Sequence, residues 1–450
     1  MVTLILLSGP LNRFQYLRRY PSAAFGMALF EFFMKVAFVV QRFGEEVIGG
    51  AESLAKQIAE RLVSEFHWEV DVYTTCATDY FSWQNVFPSG HTKVRGVSIF
   101  RFPVTFRRNV TIFRTFNAIA RLISILIPKR FFFKDFFEKI WIILQGPNAP
   151  SLIKTLSEKS NEYSGLFFFT YLYYPTILGL PRFKKRSILI PTAHDEFPFH
   201  FNATKRLFEA SSFIFTNAAA EEALIKRVYP QVTSKIRRVG VGVDIDSIDK
   251  MSATNLPLSF AEKLPQNEST TRYVLYLGRI SSGKGCDNLI RKFKAYFKKT
   301  GDDKTILVLT GKIDAGDRRI FFNHRCSQIV IQEPVSEQEK FAIIANASCL
   351  INPSPFESLS LIVLEALALK VPVLVSAQSD VLKNYEKETQ TVFSFSTTLD
   401  FIEKLQMILS VPWKQPMHQA RLENSKDWVA KNFDWNLVLK HYRNSLEDLS

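Results

Sequence analysis

The sequence is poor in cysteine, and the few cysteines it has are isolated. Its 450 residues include four cysteines and no C-x-x-C pair. This spacing argues against a disulfide framework or a zinc knuckle, and it fits a reducing cytoplasm. The first 33 residues also lack the charged, apolar and cleavage-site order of a secretory signal peptide. Because Met34 opens the first strand candidate, we interpret residues 1–33 as an N-terminal extension or the result of a start codon assigned too early.

Long uncharged runs are also scarce. The longest, Tyr163 to Pro181, nearly reaches the length that spans a bilayer, but Pro175 and Gly179 interrupt it. Its aromatic and β-branched residues are more typical of a buried strand followed by a turn. With 47% apolar and 22% charged residues, the chain is predicted to be globular with sizeable cores.

The charge of the chain is unevenly distributed. The net charge is +14, and residues 101–140 hold nine Lys or Arg against two acids, interleaved with nine phenylalanines. This pattern indicates a basic, aromatic surface for anionic lipid headgroups. The alternative is a helix pair whose phenylalanines are core and whose arginines face solvent. No nucleic-acid reading motif accompanies the basic stretch, so a nucleic-acid partner is not predicted.

The apolar pattern predicts two α/β domains in series. Seven short, nearly continuous apolar runs alternate with amphipathic stretches before residue 246, and six follow residue 271. Such runs are typical of parallel strands covered on both faces by helices. The polar connection at about 246–271 separates two doubly wound sheets. In such sheets ligands bind where strands end and loops turn into helices.

The first candidate site is the stretch "YLGRISSGKGCDNLI", residues 276–290. Gly278 lets the chain turn after a strand, and Arg279 and Lys284 lie in a Ser- and Gly-rich loop that enters a helix. Two cations beside a helix N-terminus suit a diphosphate. The alternative is a turn with two solvated cations. The stretch matches neither a Walker A loop nor G-x-G-x-x-G.

The second candidate site is "SPFESLSLIVLEALALKVPVLVS", residues 354–376, which predicts a loop, a helix and a strand. Glu357 and Glu365 are eight residues apart, which on a helix is roughly 12 Å, about the extent of a folded sugar diphosphate. The N–H groups of Ser358, Leu359 and Ser360 are predicted to face the phosphates. Glu357 could instead simply favour the helix N-terminus. Glu365 is embedded in apolar sequence, where a carboxylate needs a partner or a ligand.

Together, the two loops resemble the donor domain of retaining glycosyltransferases of family four. That family has the GT-B fold of two facing Rossmann-like domains, and its E-x7-E motif matches Glu357 and Glu365. In the N-terminal half, "VVQRFGEEVIGGAE" resembles the family's first strand and glycine-rich loop, and "YYPTILGLPRFKKRSILIPTAHDE" resembles the strand and loop that carry its histidine motif. The resemblance covers about residues 34–445. It differs at Ser360, where many family members have glycine.

The resemblance implies a role for each matched residue of the donor site. Arg279 and Lys284 would hold the diphosphate and stabilise the leaving group, Glu357 would bind the transferred sugar, and Glu365 would bind the ribose. His194 would line the sugar pocket.

The glycine-rich loop has an implied role as well, since Gly49 and Gly50 would let backbone approach the phosphates or the acceptor. The implied catalytic residues are Glu357, His194, Arg279 and Lys284. The implied donor-binding residues are Gly49, Gly50, Gly278, Arg279, Lys284, Glu357, Ser358, Leu359, Ser360 and Glu365.

The resemblance also assigns the domains. We predict an acceptor-binding Rossmann-like domain at 34–245, a nucleotide-sugar-binding Rossmann-like domain at 246–430, and a C-terminal helix at 431–450 that returns to the first domain.

Metal and cofactor sites are not predicted. The acids and the histidine near His194 lack zinc-site spacing. Asp244 and Asp246 resemble a divalent-metal pattern, but their place after "VGVGV" favours a turn and helix cap. The expected ligands are a nucleotide diphosphate sugar and no further cofactor.

The predicted function is a retaining, metal-independent hexosyltransferase of polysaccharide biosynthesis. Its acceptor would be a hydroxyl of a glycan or a lipid-linked molecule, and the protein would be cytoplasmic and peripheral at the inner membrane face. An epimerase or phosphorylase on the same fold remains an alternative, since fold alone does not determine the reaction. A non-catalytic, membrane-associated GT-B subunit is another. The intact Arg279, Lys284, Glu357 and Glu365 argue against loss of turnover.

Overall fold

The structure of the chain is a computed structural model that describes most of it. The described residues are 34–47, 49–126, 132–252, 255–262, 264, 272–314, 317–318, 321, 327–357 and 359–449. The predicted extension at 1–33 lies outside them, as do Ser358 and the basic residues Lys129 and Arg130.

The first sheet has eight strands in the order β3-β4-β2-β1-β5-β6-β7-β8. Its strands are β1 (Lys35–Val39), β2 (Glu69–Thr75), β3 (Gly90–Val94), β4 (Val97–Phe102), β5 (Gly165–Phe169), β6 (Ser187–Ile190), β7 (Phe213–Thr216) and β8 (Ile236–Arg238). All residues of β5 are buried, as expected of a parallel strand covered on both faces. Strand β3 instead pairs antiparallel with β4 at the edge of the sheet.

The second sheet has six strands in the order β11-β10-β9-β12-β13-β14, and all its pairings are parallel. Its strands are β9 (Arg272–Leu277), β10 (Thr305–Thr310), β11 (Ile329–Gln332), β12 (Cys349–Asn352), β13 (Val373–Ser376) and β14 (Val392–Phe395). Each of the thirteen predicted runs therefore contains a strand, which confirms the prediction of two doubly wound sheets. Strand β3 was not predicted.

Helices occupy the connections between the strands. In the first half they are α1 (Gly50–Phe66), α2 (Val110–Leu126), α3 (Phe132–Gln145), α4 (Pro150–Lys159), α5 (Tyr174–Gly179), α6 (Asn202–Ala210), α7 (Ala219–Val228), α8 (Ile245–Ser252) and α9 (Leu258–Ala261). In the second half they are α10 (Cys286–Thr300), α11 (Glu337–Ala345), α12 (Leu361–Ala368), α13 (Asp380–Glu388), α14 (Thr398–Ser410), α15 (Pro416–Asn432) and α16 (Trp435–Glu447).

Two of these helices bear on the predictions, and a third packs on the second sheet. The run after β5 forms helix α5 where a simple turn was predicted. Asp244 accepts a hydrogen bond from the N–H of Ser247 at 3.0 Å, so it caps α8 as predicted. Helix α10 buries its apolar face against the second sheet and ends at Gly301, whose φ of 65° closes the helix in the left-handed region.

The described chain divides into two compact units. The first contains its residues up to Pro191, with His200–Ile214 and the C-terminal residues from Ser445. The second contains Thr192–Phe199 and Phe215–Asn444. The domain boundaries proposed from the sequence, and the return of the C-terminal helix, stay predictions. No helix within the described ranges is both long enough and apolar enough to cross a bilayer.

Candidate functional site

The candidate site lies where the strand order of the second sheet reverses. From β9 the chain proceeds to β10 and β11 on one side, and then to β12, β13 and β14 on the other. The loops that follow β9 and β12 therefore diverge around a crevice at the carboxyl end of the sheet, the usual ligand position in such folds. These loops carry Arg279, Lys284, Glu357 and Ser360.

Glycines allow the backbone to pack closely beside this crevice. Gly278 follows β9 with φ 149°, and Gly311 follows β10 with φ 150°. A Cβ on Gly311 would lie 1.8 Å from the carbonyl oxygen of Gly278, so no side chain fits there. The two loop starts are thus locked together by direct backbone contact.

The loop from Ser281 to Gly285 packs onto the loop that follows β12. Ser282 to Lys284 form one 3₁₀ turn, and the Ser281 hydroxyl accepts a hydrogen bond from the N–H of Lys284 at 3.3 Å. Gly285 has φ 75°, and a Cβ there would lie 2.5 Å from the carbonyl oxygen of Pro353. The close approach of these loops brings the two sequence motifs together.

The predicted cation of the first loop meets the predicted acid of the second. Lys284 Nζ lies 2.8 Å from Glu357 Oε1, and their side chains are 31% and 14% exposed. Arg279 Nε lies 3.8 Å from Asp314 Oδ2 in the loop after β10. Burial raises the pKa of Asp314, and the Arg279 charge opposes that shift. The crevice therefore contains two cations, each beside an acid.

The loop after β12 holds an unusual backbone conformation at Ser360. Ser360 has φ 64° and ψ 73°, in the left-handed region that glycine adopts most easily. The Asn352 side chain donates a hydrogen bond to the Ser360 hydroxyl at 2.8 Å, which helps to hold the serine in that conformation. The Leu359 carbonyl accepts a hydrogen bond from the Tyr385 hydroxyl at 2.7 Å. The glycine preference noted for family members thus has a direct structural reason.

Glu365 lies on helix α12 and has a cationic partner. Lys340 Nζ, from α11, is 2.8 Å from Glu365 Oε1, and the two side chains are 18% and 13% exposed. The sequence predicted that this carboxylate needs a partner or a ligand, and Lys340 is one such partner.

His194 belongs to the same unit as these residues and is half-buried. Burial lowers the pKa of His194 to about 4, with the Glu357 carboxylate opposing the shift and the Lys284 charge adding to it. The imidazole is therefore neutral at neutral pH and can act as a hydrogen-bonding group.

A buried acid anchors the segment that carries His194. Glu221 accepts hydrogen bonds from the N–H of Ala193 at 2.6 Å and from that of Asn217 at 2.7 Å. Burial raises the pKa of Glu221 to about 7, and the two N–H donors oppose the shift. The carboxylate thus ties the segment that carries His194 to the start of α7.

Gly49 and Gly50 lie in the first unit, where Gly50 begins α1. A Cβ on Gly49 would lie 2.1 Å from Glu52 Oε2, so the glycine leaves space for that buried carboxylate. Glu52 in turn pairs with Arg42, whose Nη2 is 2.7 Å from Glu52 Oε1. Gly49 therefore has a packing role beside the one implied by the resemblance.

Several residues of the site were not singled out from the sequence, namely Lys340, Asp314, Asp317 and Glu221. Asp317 accepts a hydrogen bond from the N–H of Ser282 at 2.8 Å. A signal for Asp314 was available, because it follows a strand at the ligand-binding edge of the sheet.

Comparison with known proteins gives a family for the segment that builds this crevice. Residues 271–410 match the family model "Glycosyl transferases group 1". The segment contains every predicted residue of the second unit except His194. The match supports a glycosyltransferase of the family-four, GT-B type.

Individual relatives are distant. An uncharacterised glycosyltransferase of Methanocaldococcus jannaschii, MJ1607, is 23% identical over 198 residues, which is 41% of this chain and 48% of the relative. The chain thus spans about half the length of that curated relative.

Solved structures resemble nearly the whole chain. Sucrose-phosphate synthase from Thermosynechococcus elongatus is similar with a TM-score of 0.66 and 16% identity, covering 93% of this chain and all of that one (100%). Anabaena HepE, solved with UDP and glucose, is similar with a TM-score of 0.61 and 13% identity, covering 92% of this chain and 100% of that one. These likenesses confirm the predicted GT-B fold.

Proposed function

We propose that this protein is a retaining glycosyltransferase that transfers a hexose from a nucleotide diphosphate sugar to a hydroxyl of a glycan or lipid-linked acceptor. The observation that carries the proposal is the Lys284–Glu357 pair, at 2.8 Å, in the switch-point crevice of a segment that matches the family model. Arg279 and Lys284 supply the positive charge that a departing nucleoside diphosphate requires. No metal ion or further cofactor has a part in this proposal.

The remaining roles follow from where each residue lies. Glu357 binds hydroxyls of the transferred sugar, and its pairing with Lys284 orients the carboxylate. Glu365, held by Lys340, accepts hydrogen bonds from the ribose hydroxyls. Neutral His194 donates or accepts a hydrogen bond at the sugar. The backbone N–H groups of Leu359 and Ser360 face the phosphates of the donor. Ser358 has the same predicted role but lies outside the described residues.

A donor-binding experiment tests this function. We expect ligand-observed NMR with UDP-, GDP-, ADP- and dTDP-sugars, in the presence of a chelator, to show selective binding of one donor. Product NMR with that donor should then show retention at the anomeric carbon. A folded protein that binds none of the donors would instead support the non-catalytic subunit. Conversion of a bound donor without acceptor would support the epimerase.

Replacing Glu365 by glutamine tests the ribose assignment. Hydrogen bonds to a charged group contribute about 1.5–3 kcal/mol, so we expect donor affinity to fall roughly 10- to 100-fold. The same variant should lose almost nothing with a donor whose ribose lacks the 2′ and 3′ hydroxyls. Isothermal titration measures both affinities, with the exposed Glu388→Gln as the matched control. Equal losses for both donors would contradict a contact with the ribose.

The helix pair α2 and α3 supports a membrane-facing surface. Ile112, Ile119 and Leu122 lie on one side of α2 and are 55%, 47% and 58% exposed, and Phe136 on α3 is 57% exposed. Arg114 and Lys139 are exposed on the same two helices. Other aromatic residues, such as Phe113 and Trp141, pack against each other with their ring planes tilted by 58°, so the helix pair is partly core, as the alternative interpretation held.

We therefore propose that this surface docks on an anionic bilayer. Exposed apolar side chains match the acyl boundary of a bilayer, and exposed basic side chains on the same helices match its anionic headgroups. The Arg114→Gln, Lys139→Gln variant should weaken binding to phosphatidylglycerol-containing vesicles roughly 30-fold, at about 1 kcal/mol per basic residue. The control variant, Lys298→Gln with Lys299→Gln on α10, should bind like the parent in a vesicle sedimentation assay. Equal effects of both pairs would show that net charge alone determines binding.

A further inference from the structure

The loop that follows β10 brings acids to the crevice that is proposed to hold the donor diphosphate. This loop begins at Gly311 and carries Asp314 and Asp317. A diphosphate is an anion, so a nearby ionised carboxylate repels it, whereas Arg279 and Lys284 in the loop after β9 attract it. The acids of the loop after β10 therefore bear directly on how tightly a donor binds.

Hydrogen bonds fasten the loop after β10 to the loop after β9. The N–H of Ile280 donates to the carbonyl oxygen of Lys312 at 3.0 Å, and the N–H of Asp314 donates to the carbonyl oxygen of Ile280 at 3.0 Å. Asp317 adds a side-chain link, because its carboxylate oxygens accept hydrogen bonds from the N–H of Ser282 at 2.8 Å and from the Ser282 hydroxyl at 3.2 Å. The backbone that carries Asp314 is therefore fixed against the neighbouring loop.

The side chain of Asp314 lies beside Arg279 across this contact. Asp314 Oδ2 is 3.8 Å from Arg279 Nε, and the side chains of Arg279 and Asp314 are 36% and 16% exposed. The other cation of the crevice, Lys284, lies 2.8 Å from Glu357. Each cation that is proposed to bind the diphosphate thus also has a carboxylate of the protein as a neighbour. A donor must compete with these carboxylates for the two positive charges.

The surroundings of Asp314 favour its neutral form more than those of an ordinary aspartate. Burial raises the pKa of Asp314, and the neighbouring Asp317 carboxylate adds to that shift. Arg279, a hydrogen bond from Ser281 and the Lys312 charge oppose the shift without cancelling it. The charged groups that face Asp314 from the two loops are therefore one acid and two cations, and its charge is easier to remove than that of an exposed aspartate.

A bound diphosphate would change this balance further. It would place negative charge close to Asp314, and like charges disfavour an ionised carboxylate. The segment cannot carry the carboxyl away without breaking its hydrogen bonds to the loop after β9, so protonation is the direct way to remove the repulsion. By linkage, a group that binds its proton more tightly in a complex makes the ligand bind more tightly at lower pH.

We propose that Asp314 sets the affinity of the donor site: it is a counter-charge to Arg279 that competes with the donor diphosphate, and the protein takes up a proton from solvent at this carboxyl when the donor binds. The proposal rests on the proposed function, which makes Arg279 a ligand of the diphosphate. Donor affinity then falls as pH rises, because the protonated form that the complex needs becomes rarer in the free protein. The fall begins at the pKa of Asp314 in the free protein and ends at its higher pKa in the complex.

Removal of the charge gives the sharpest test, because it should improve binding. We expect Asp314→Asn to bind the selected nucleotide sugar about tenfold more tightly than the parent at about pH 8, and this ratio should decrease as the pH is lowered to about 5.5. His194 and Glu221 are present in both proteins, so any pH dependence that they cause cancels in the ratio. A nucleotide sugar is the appropriate probe, because both of its phosphates are esterified and do not titrate in this range.

Isothermal titration measures the affinities and the protons. Repeated in two buffers of different ionisation enthalpy, it should show that the parent takes up more protons per bound donor than Asp314→Asn does. The matched control is Asp303→Asn, the same change of charge at an exposed residue before β10, which should bind like the parent. Asp314→Glu should keep the pH dependence, and thermal unfolding verifies that each variant is folded.

The outcomes separate this proposal from the proposed function. Equal or weaker donor binding by Asp314→Asn, or a ratio of affinities that does not change with pH, would overturn the counter-charge role and leave Asp314 as a residue that orients Arg279. The donor site itself would then still stand, because the parent binds its donor. If neither protein binds any nucleotide sugar, both proposals fail.

Discussion

Replacing Lys284 by glutamine should lower the rate of sugar transfer by about 100- to 1000-fold, the usual cost of removing one preorganised group that stabilises developing charge. Lys284 is the cation of the crevice that lies 2.8 Å from Glu357, the acid proposed to bind the transferred sugar. In the proposed mechanism its loss affects the departing diphosphate directly. It also leaves the carboxylate of Glu357 without this partner, so the transferred sugar is held less well.

Release of nucleoside diphosphate from the selected donor measures this effect. The exposed Lys304→Gln is the matched control and should keep the parent rate. Both variants should unfold at the temperature of the parent, because Lys284 is partly exposed and its ion pair contributes little to stability. If the two variants transfer sugar equally fast, Lys284 has no part in catalysis.

Replacing Gly311 by alanine should destabilise the second unit by about 2–6 kcal/mol, the sum of backbone strain and overpacking. The φ of 150° disfavours any side chain, and the added Cβ would lie 1.8 Å from the Gly278 carbonyl oxygen. Neither backbone can move without disturbing β9 or β10. The loop that carries Arg279 should therefore shift, and donor affinity should fall together with stability.

Urea unfolding followed by circular dichroism measures the loss. Gly283→Ala is the control, because the nearest atom to its added Cβ, the Ser281 hydroxyl oxygen, lies at an ordinary 3.9 Å. That variant should be as stable as the parent, or slightly more stable because alanine restricts the unfolded chain. Equal stability of the two variants would show that the Gly278–Gly311 approach has room to relax.

Much of the fold could be predicted because parallel strands buried on both faces leave a strong signal. Strands such as β5 and β10 are buried throughout, so their sequences are continuous apolar runs. Strand β3 leaves no such signal, since all five of its residues are exposed. Helix α5 was not predicted, because it lies inside an aromatic run that contains Pro175. The proline was interpreted as a break, but it stands in the first turn of the helix, where proline is common.

The candidate site was predictable to the extent that its residues lie in local motifs. Glu357 and Glu365 share one loop and helix, and Arg279 and Lys284 share another loop. Their partners depend on tertiary structure: Lys340 is 25 residues from Glu365, and Lys284 is 73 residues from Glu357. No local pattern links such distant residues, so the pairings required the folded chain.

The role of Glu221 also could not be predicted from its local sequence. Its sequence neighbours mark it as an ordinary acid in the first turn of α7. Only the fold reveals that it is buried and holds the N–H of Ala193, next to His194. A residue that acts on the backbone of another segment has no sequence signature of its own.

Strand β3 has a consequence for how the molecule behaves in concentrated solution. A parallel sheet that stopped at β4 would offer a row of free backbone donors and acceptors to any passing strand. Here Gly90–Val94 covers that row with five exposed residues that include His91 and Lys93. A short, charged edge strand is a poor template for further pairing. The hairpin of β3 and β4 thus protects this side of the sheet against aggregation.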